Sequence, residues 1–221
     1  MTSEAPETGG TTTVCEPVLA FQKWPDNGHL MAAQVRLGNL RSDWPTLDVT
    51  YGYGTFWSVW RPDVLDGCDL NPAKSPVGYP VDYTALPFAD RSYKVVVFDP
   101  DYKFTGTPWN TGGMDERYGT EQPMRWQDRM ANIRAGAREC ARVSDLMLLV
   151  KCQDQVVSGK IRWQTKAIAD EVEPLGFGLK HRFDFMGRRE QPAGRTQRNP
   201  LSCSSQLLVF QRGWKWSDLD D

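Results

Sequence analysis

The stretch VVVFDPDYKF, Val95 to Phe104, decides how the rest of the chain is read. Four consecutive apolar side chains, Val95 to Phe98, leave no polar face, which suits a strand buried on both sides of a sheet. An acid, a proline, a second acid and a tyrosine (Asp99, Pro100, Asp101, Tyr102) then stand where such a strand would end. Two carboxylates and a ring at the rim of a sheet raise the question of what else reaches that edge.

The bulk properties narrow the answer. The 221 residues are 40% apolar and 11% aromatic, enough for one domain with a substantial core. A net charge of −2 gives no global attraction to nucleic acid, so any such contact needs a local patch. Cys15, Cys68, Cys140, Cys152 and Cys203 are odd in number and form no CxxC or Cys/His cluster. That pattern suits reduced thiols in a cytoplasmic protein and supports neither a disulfide framework nor a metal site. No long apolar span or signal peptide is visible, so no membrane association is expected. The expected organisation is a disordered polar lead over 1–16, a single domain over 17–216 and an acidic tail over 217–221.

Strands and helices alternate along the chain. Leu47–Thr50, Val64–Leu70, Val95–Asp99, Leu146–Lys151, Phe177–Phe185 and Gln206–Arg212 read as strands. Helical spacing covers His29–Arg41, Trp126–Val143 and, more weakly, Trp163–Val172. This alternation predicts an α/β fold: a mainly parallel sheet with helices on both faces. The last two strands are joined by a short polar link without a helix, so they are expected as an antiparallel pair at one edge.

In such a sheet, ligands bind at the carboxyl ends of the strands. The first strand runs into Asp48-Val-Thr-Tyr-Gly-Tyr-Gly54-Thr55, where two glycines permit a tight turn and close backbone approach. Trp57 occupies the position of the third glycine of a dinucleotide fingerprint, so the pyrophosphate reading fails and a simple tight turn competes with a cofactor loop. Asp69 lies about twenty residues past that turn, where a ribose-holding acid would sit. Asp82, followed by Leu86-Pro-Phe88, precedes the next strand. Each acid alone is explained by solvation; three acids and a glycine turn at successive strand ends are not.

Together these segments resemble the S-adenosylmethionine-dependent amino-methyltransferases of nucleic acids. The similarity lies in D-x-x-x-G-x-G-T over Asp48 to Thr55, the acid Asp69, Asp82 with Leu86-Pro-Phe88, and Asp99-Pro-Asp-Tyr102. The last matches the (D/N/S)-P-P-(Y/F) tetrapeptide at three of four positions. The whole chain is similar to small phage- and actinobacteria-associated DNA methyltransferases, including the segment Leu148 to Thr165 and an Arg-rich stretch before the last strand. The resemblance implies a Rossmann-like class I methyltransferase fold with a seven-stranded sheet. Its cofactor would be S-adenosyl-L-methionine, held by Asp48, Thr50, Tyr51, Gly52, Gly54, Asp69, Leu70, Asp82, Tyr83 and Asp99. Its implied activity is methyl transfer to the exocyclic amine of adenine or cytosine in DNA. Asp99 and the Pro100 carbonyl would hold the amine, and Tyr102 would stack on the base. Phe21 to Pro25 looks like the family's additional cofactor-side motif, with packing of the first helix as the competing reading.

Asp101 departs from the family pattern, because a second proline is usual there. Proline fixes φ and removes a donor, whereas aspartate restores freedom and adds charge. The departure leaves open a non-catalytic nucleic-acid or protein-binding module on the same fold; an RNA amino-methyltransferase is a further alternative. Two surfaces are candidates for nucleic acid. Arg188, Arg189, Arg195 and Arg198 lie in a loop over 186–203, and arginine's planar fork suits phosphate. Lys103 and Trp109 belong to a long irregular segment, 103–125, of the kind that often recognises substrate. With no room for a large recognition domain, specificity is expected to be short or loose, or to depend on a homodimer.

Overall fold

Val95, Val96, Val97 and Phe98 are all fully buried, and they face alternate sides of the sheet as a two-residue period requires. The structure, a computed structural model, describes residues 17–104, 124–187 and 203–215. Its elements run β1 (Phe21–Gln22), α1 (Asn27–Arg36), β2 (Thr46–Asp48), β3 (Leu65–Gly67), β4 (Tyr93–Phe98), α2 (Trp126–Val143) and β5 (Ser144–Cys152). There follow β6 (Gln155–Val157), β7 (Lys160–Arg162), α3 (Gln164–Val172), β8 (Phe177–Met186) and β9 (Ser204–Arg212). Short 3-10 turns occupy Thr55–Trp57, Pro72–Lys74 and Glu173–Leu175.

Seven strands form one sheet in the order β1-β8-β9-β5-β4-β2-β3, and β6 and β7 form a separate hairpin. β2, β3, β4 and β5 are parallel, with Leu47 beside Val96 and Val96 beside Leu148. β9 runs antiparallel to both β5 and β8. The antiparallel pair thus lies toward one edge as expected, but β1 adds a two-residue parallel strand outside β8. So short a strand has no period to read in the sequence.

Two cores flank the sheet. Val96 and Phe98 pack with Ile133, Ala137 and Cys140 of α2 and with Ile168 and Val172 of α3. Val95 and Val97 pack with Leu30, Met31 and Ala33 of α1, and with Phe56 and Trp57 of the first 3-10 turn. α1 begins where the Asp26 side chain accepts from the His29 N–H, and it stops at Arg36 rather than at Arg41. Gly38, at φ +70, ends it by taking the left-handed conformation that closes many helices. Between β2 and β3, and again between β3 and β4, the connection is a 3-10 turn and loop instead of a full helix, so α1 largely covers that face.

The topology sets the position of the site. The chain leaves β2 for β3 on one side and returns to β4 on the other side of β2. At such a switch point the loops after the two strands diverge and leave a crevice beyond their carboxyl ends. Among the described residues no helix is long and apolar enough to cross a membrane.

α2 packs so closely on the sheet that a Cβ at Gly136 would stand 2.6 Å from Tyr83 Cδ2 and 2.7 Å from Phe98 Cζ. Gly136→Ala gains about 1 kcal/mol of helix propensity, against roughly 1–3 kcal/mol for overpacking a core. Because Phe98 is wholly enclosed, the clash should win, with a net loss of about 1 kcal/mol on the scale of those two effects. Chemical denaturation checks this; a midpoint unchanged or raised would mean that the packing relaxes freely.

Candidate active site

Thr50 Oγ1 accepts the Asp99 N–H at 2.7 Å and ties the end of β2 to the end of β4. Above this tie lies a cavity of about 330 Å³, within the usual size of small-molecule sites. Its walls come from three strand-end segments, the loop before β4 and two helices. Val49 to Tyr53 and Thr55 follow β2; Asp69 and Leu70 follow β3; Asp82 and Tyr83 precede β4; Asp99 and Asp101 follow it. Asn27 of α1, Asn132 of α2 and Met124 complete the lining.

Of the residues singled out in the sequence, Thr50, Tyr51, Gly52, Asp69, Leu70, Asp82, Tyr83, Asp99 and Asp101 meet in this cavity. Asp48, Gly54, Pro100 and Tyr102 are not in its lining. Asp48 is 2% exposed, and its two oxygens accept from Trp57 Nε1 at 2.8 Å and the Thr50 N–H at 3.0 Å. It therefore supports the loop from beneath. Gly54, at φ +66, lies under the Tyr51 ring, where a Cβ would come within 2.8 Å of the hydroxyl. Pro100 is buried, and Tyr102 packs its ring against the core. Arg188, Arg189, Arg195, Arg198 and Trp109 lie outside the described residues; Lys103 is half-buried one residue past Tyr102.

The glycine bend depends on the acid after β3. Asp69 Oδ2 accepts the Gly52 N–H at 3.0 Å and Oδ1 accepts the Asn71 N–H at 2.8 Å. Each oxygen keeps a second lone pair, so Asp69 can shape the bend and still receive a ligand's hydroxyl. Gly52 is at φ +55, a left-handed conformation unfavourable for residues with a Cβ. The segment from Asp82 to Phe88 is fixed differently. Asp82 Oδ1 accepts from the Thr84 N–H and hydroxyl, while Glu139 accepts the Leu86 N–H and Arg142 donates to the Leu86 and Phe88 carbonyls. Tyr83 sits edge-on to Phe98 at 5.0 Å, and burial pushes its hydroxyl up to about 12.

Asp99 is the least satisfied of these carboxylates. Its Oδ1 is buried with no hydrogen-bond partner, and desolvation pushes its pKa up from the ordinary carboxylate value. The opposing influence is the charge of Lys151, which lowers it. Lys151 is itself buried: its ammonium donates to Asn27 Oδ1 and lies 5.1 Å from the Phe185 ring and 5.6 Å from that of Phe56. Burial in turn draws the Lys151 pKa down.

The turn after β4 is held at nearly every residue. Arg129 of α2 forms an ion pair with Asp101 and donates to the Lys103 carbonyl at 2.9 Å. Both side chains of the pair are nearly enclosed, 10% and 13% exposed. The Tyr102 carbonyl accepts from Gln155 Nε2 and Gln164 Nε2, each at 2.6 Å, and Gln155 Oε1 accepts the Phe104 N–H. The charge that Asp101 adds is thus matched on the spot. Arg129, Gln155, Gln164, Lys151 and Asn27 escape a reading by motif because each reaches the site from another element. Only Lys151 carried a hint, as the charged residue that ends the Leu146–Lys151 strand.

Comparison of the sequence with protein-family models and with curated proteins finds no match. Solved structures do match. The magnesium protoporphyrin IX methyltransferase of Synechocystis, solved with bound S-adenosylmethionine, is 14% identical with a TM-score of 0.50, over 84% of this chain and 77% of that one. A Haloferax volcanii structure, the complex of the Trm112 methyltransferase activator with an assigned methyltransferase, is 12% identical at TM-score 0.51, over 86% and 91%. A Thermus thermophilus protein assigned as a DNA modification methylase is 15% identical at TM-score 0.36, over 59% and 49%, and that likeness bears no weight. The chain has the class I, Rossmann-like methyltransferase fold.

Burial raises the Asp48 carboxyl from its ordinary 3.8 to about 7, despite the two hydrogen bonds that favour its charged form. Between those values the folded chain keeps a proton that the unfolded chain has released, so stability falls as pH rises through this window. The melting temperature should therefore drop between about pH 4 and 7, and Asp48→Asn should make the drop shallower. An equal slope in both proteins would show that Asp48 titrates normally.

Proposed function

We propose that this chain is an S-adenosylmethionine-dependent methyltransferase acting on the exocyclic amine of adenine or cytosine in DNA. The observation that carries the reading is that the glycine bend and the Asp99 turn open on one cavity, where a buried Asp99 oxygen has no partner. Among the described residues Asp69 and Asp82 of its walls form no ion pair, and such a site favours a positively charged guest.

The residues fit this cofactor. Asp69 would take the ribose hydroxyls on its free lone pairs, with Leu70 beside the sugar. Asp82 and Tyr83 would flank the adenine, and the Gly52 bend permits close backbone approach. The cofactor, when bound, supplies a methyl group on a cationic sulfur.

The chain's own residues orient the acceptor amine. An aromatic amine is a weak nucleophile because its lone pair is delocalised into the ring. Asp99 Oδ1, lacking any partner, would accept one of its N–H bonds, and the Pro100 carbonyl would accept the other. Both acceptors favour a pyramidal nitrogen and offset the positive charge that develops on it. Alignment of two bound reactants is the larger contribution, since effective molarities for well-oriented partners reach about 10⁵–10⁸ M. Tyr102 would meet the base face from the same turn by swinging its ring off the core. Asp101 answers to Arg129 and brings no unmatched charge to the amine, which favours the catalytic reading over a non-catalytic one.

Incubation with isotope-labelled S-adenosylmethionine and unmethylated DNA, followed by nucleoside mass spectrometry, should yield labelled N6-methyladenine or N4-methylcytosine. Label appearing only in RNA, or in neither polymer, would overturn the assignment. Asp99→Ala should cut transfer by about 10²–10³, the loss typical of removing one polar group aimed at developing charge, while calorimetric affinity for the cofactor stays within a few-fold. Asp69→Ala should weaken that affinity at least about tenfold, which corresponds to about 1.4 kcal/mol; unchanged affinity would remove it from the ribose position.

An ionised Asp99 is the stronger acceptor for the amine N–H and offsets the positive charge that develops on nitrogen, so kcat/KM should rise with pH through its elevated pKa and then level off. Lys151→Met removes the charge that holds this pKa down, and the rising limb should move to higher pH. A profile that does not shift would uncouple Lys151 from the reaction.

A further inference from the structure

The hairpin formed by β6 and β7 has no role in the cofactor cavity, yet it is built onto the turn that follows Asp99. Gln155 at its first residue and Gln164 just past its last both donate to the Tyr102 carbonyl. On its other side, the Arg162 guanidinium stacks on Trp126 at 4.0 Å, and Trp126 follows Arg125 and the cavity-lining Met124. The hairpin tip turns through Ser158 and Gly159, at φ 52 and +74, and presents Lys160 to solvent. Beyond Arg162, the Trp163 ring is 55% exposed.

The charges here differ from those along the rest of α2 and on α3. Along α2, Arg134 and Arg138 pair with Glu171, and Arg142 pairs with Glu139 and Asp90. Lys166 pairs with Asp170 and Lys94 with Asp145. Arg125, Lys160, Arg162 and Lys103 have no carboxylate partner among the described residues. Asp128, exposed on the first turn of α2, makes no ion pair with them. In a chain of net charge −2, several unmatched cations lie around one turn with a half-exposed indole among them.

We infer that the β6–β7 hairpin, with Trp163 and the start of α2, is the surface that holds the nucleic-acid strand next to the target base. The inference rests on the amino-methyltransferase reading and extends it to where the strand runs. Unpaired cations suit the phosphate backbone, and an exposed aromatic face suits stacking on an unpaired base of any sequence. A folded acidic protein would match the charges but would leave the indole without a planar partner.

Fluorescence anisotropy with a labelled single-stranded oligonucleotide, read across a salt series, tests this without methyl transfer. Lys160→Ala/Arg162→Ala should lower the magnitude of the slope of log K against log salt by about 1.4, at about 0.7 for each phosphate no longer neutralised. Lys160→Ala alone, at an exposed tip, should lower it by about 0.7 with unchanged melting temperature. Trp163→Ala should weaken binding about ten- to a hundredfold for the oligonucleotide and leave binding to heparin, a polyanion without bases, unaffected. Full affinity and slope in these variants, an equal loss for heparin in Trp163→Ala, or no oligonucleotide binding by the unaltered chain would each overturn the surface. Hairpin-dependent binding without methylated product would count against the transferase and not against this surface. Methylation with binding intact in the variants would do the reverse.

Discussion

The hydrogen bond from the Asp99 N–H to Thr50 Oγ1 is the constraint on which the site depends. It lies where the chain, having gone from β2 to β3, returns on the other side of β2 as β4. It extends past the strands the pairing that the Val49 N–H makes with the Val97 carbonyl. With it, the glycine bend and the Asp-Pro-Asp-Tyr turn share one cavity, and each further contact refines a juxtaposition the sheet has already made. The fully buried strand behind Asp99 gives that tie a rigid base, because neither core can yield around Val95 to Phe98 without opening a void.

Gathering carboxylates at one point has an electrostatic cost, and the structure distributes it unequally. Asp48 accepts one donor on each oxygen and is buried, so it serves as a strut. Asp69 spends half of its accepting capacity on Gly52 and Asn71, which makes the bend and the acid a single unit. Asp99 keeps one oxygen unpartnered, with Lys151 as the compensating charge. Polar groups left unsatisfied in an interior are costly, and they persist where a guest completes them. On the proposed reading that guest is the acceptor amine, beside a cationic cofactor suited to an acidic wall.

The departure at Asp101 has a local physical explanation. A proline at this position would stiffen the turn through its ring. Here an ion pair to Arg129, with Arg129 also bonded to the Lys103 carbonyl, restrains the same backbone from outside. Gln155 and Gln164 add their bonds to the Tyr102 carbonyl, so the turn is anchored both to α2 and to the hairpin. Rigidity is thereby moved from one covalent ring to a network of side chains, and the hairpin is fastened to the site in the process.

Local pattern was enough to reveal the sheet, the antiparallel pair near its edge, α2 over Trp126–Val143, and the acids Asp69 and Asp99 just past β3 and β4, whereas Asp82 lies within the long loop between those strands. Those features are written in hydrophobic period and in turn chemistry, which neighbouring residues determine among themselves. The shorter α1 was less legible, since Gly38 ends it inside a run that still had helical spacing. The short strands β1, β6 and β7 were not legible, because their hydrogen-bond partners rather than their period define them. The interior place of Asp48, the inward packing of Tyr102, and the convergence of Arg129, Lys151, Gln155 and Gln164 on one turn were decided only in three dimensions. These side chains act on residues 26 to 124 positions away, and such pairings are set by how helices and strands pack, which no stretch of sequence records by itself.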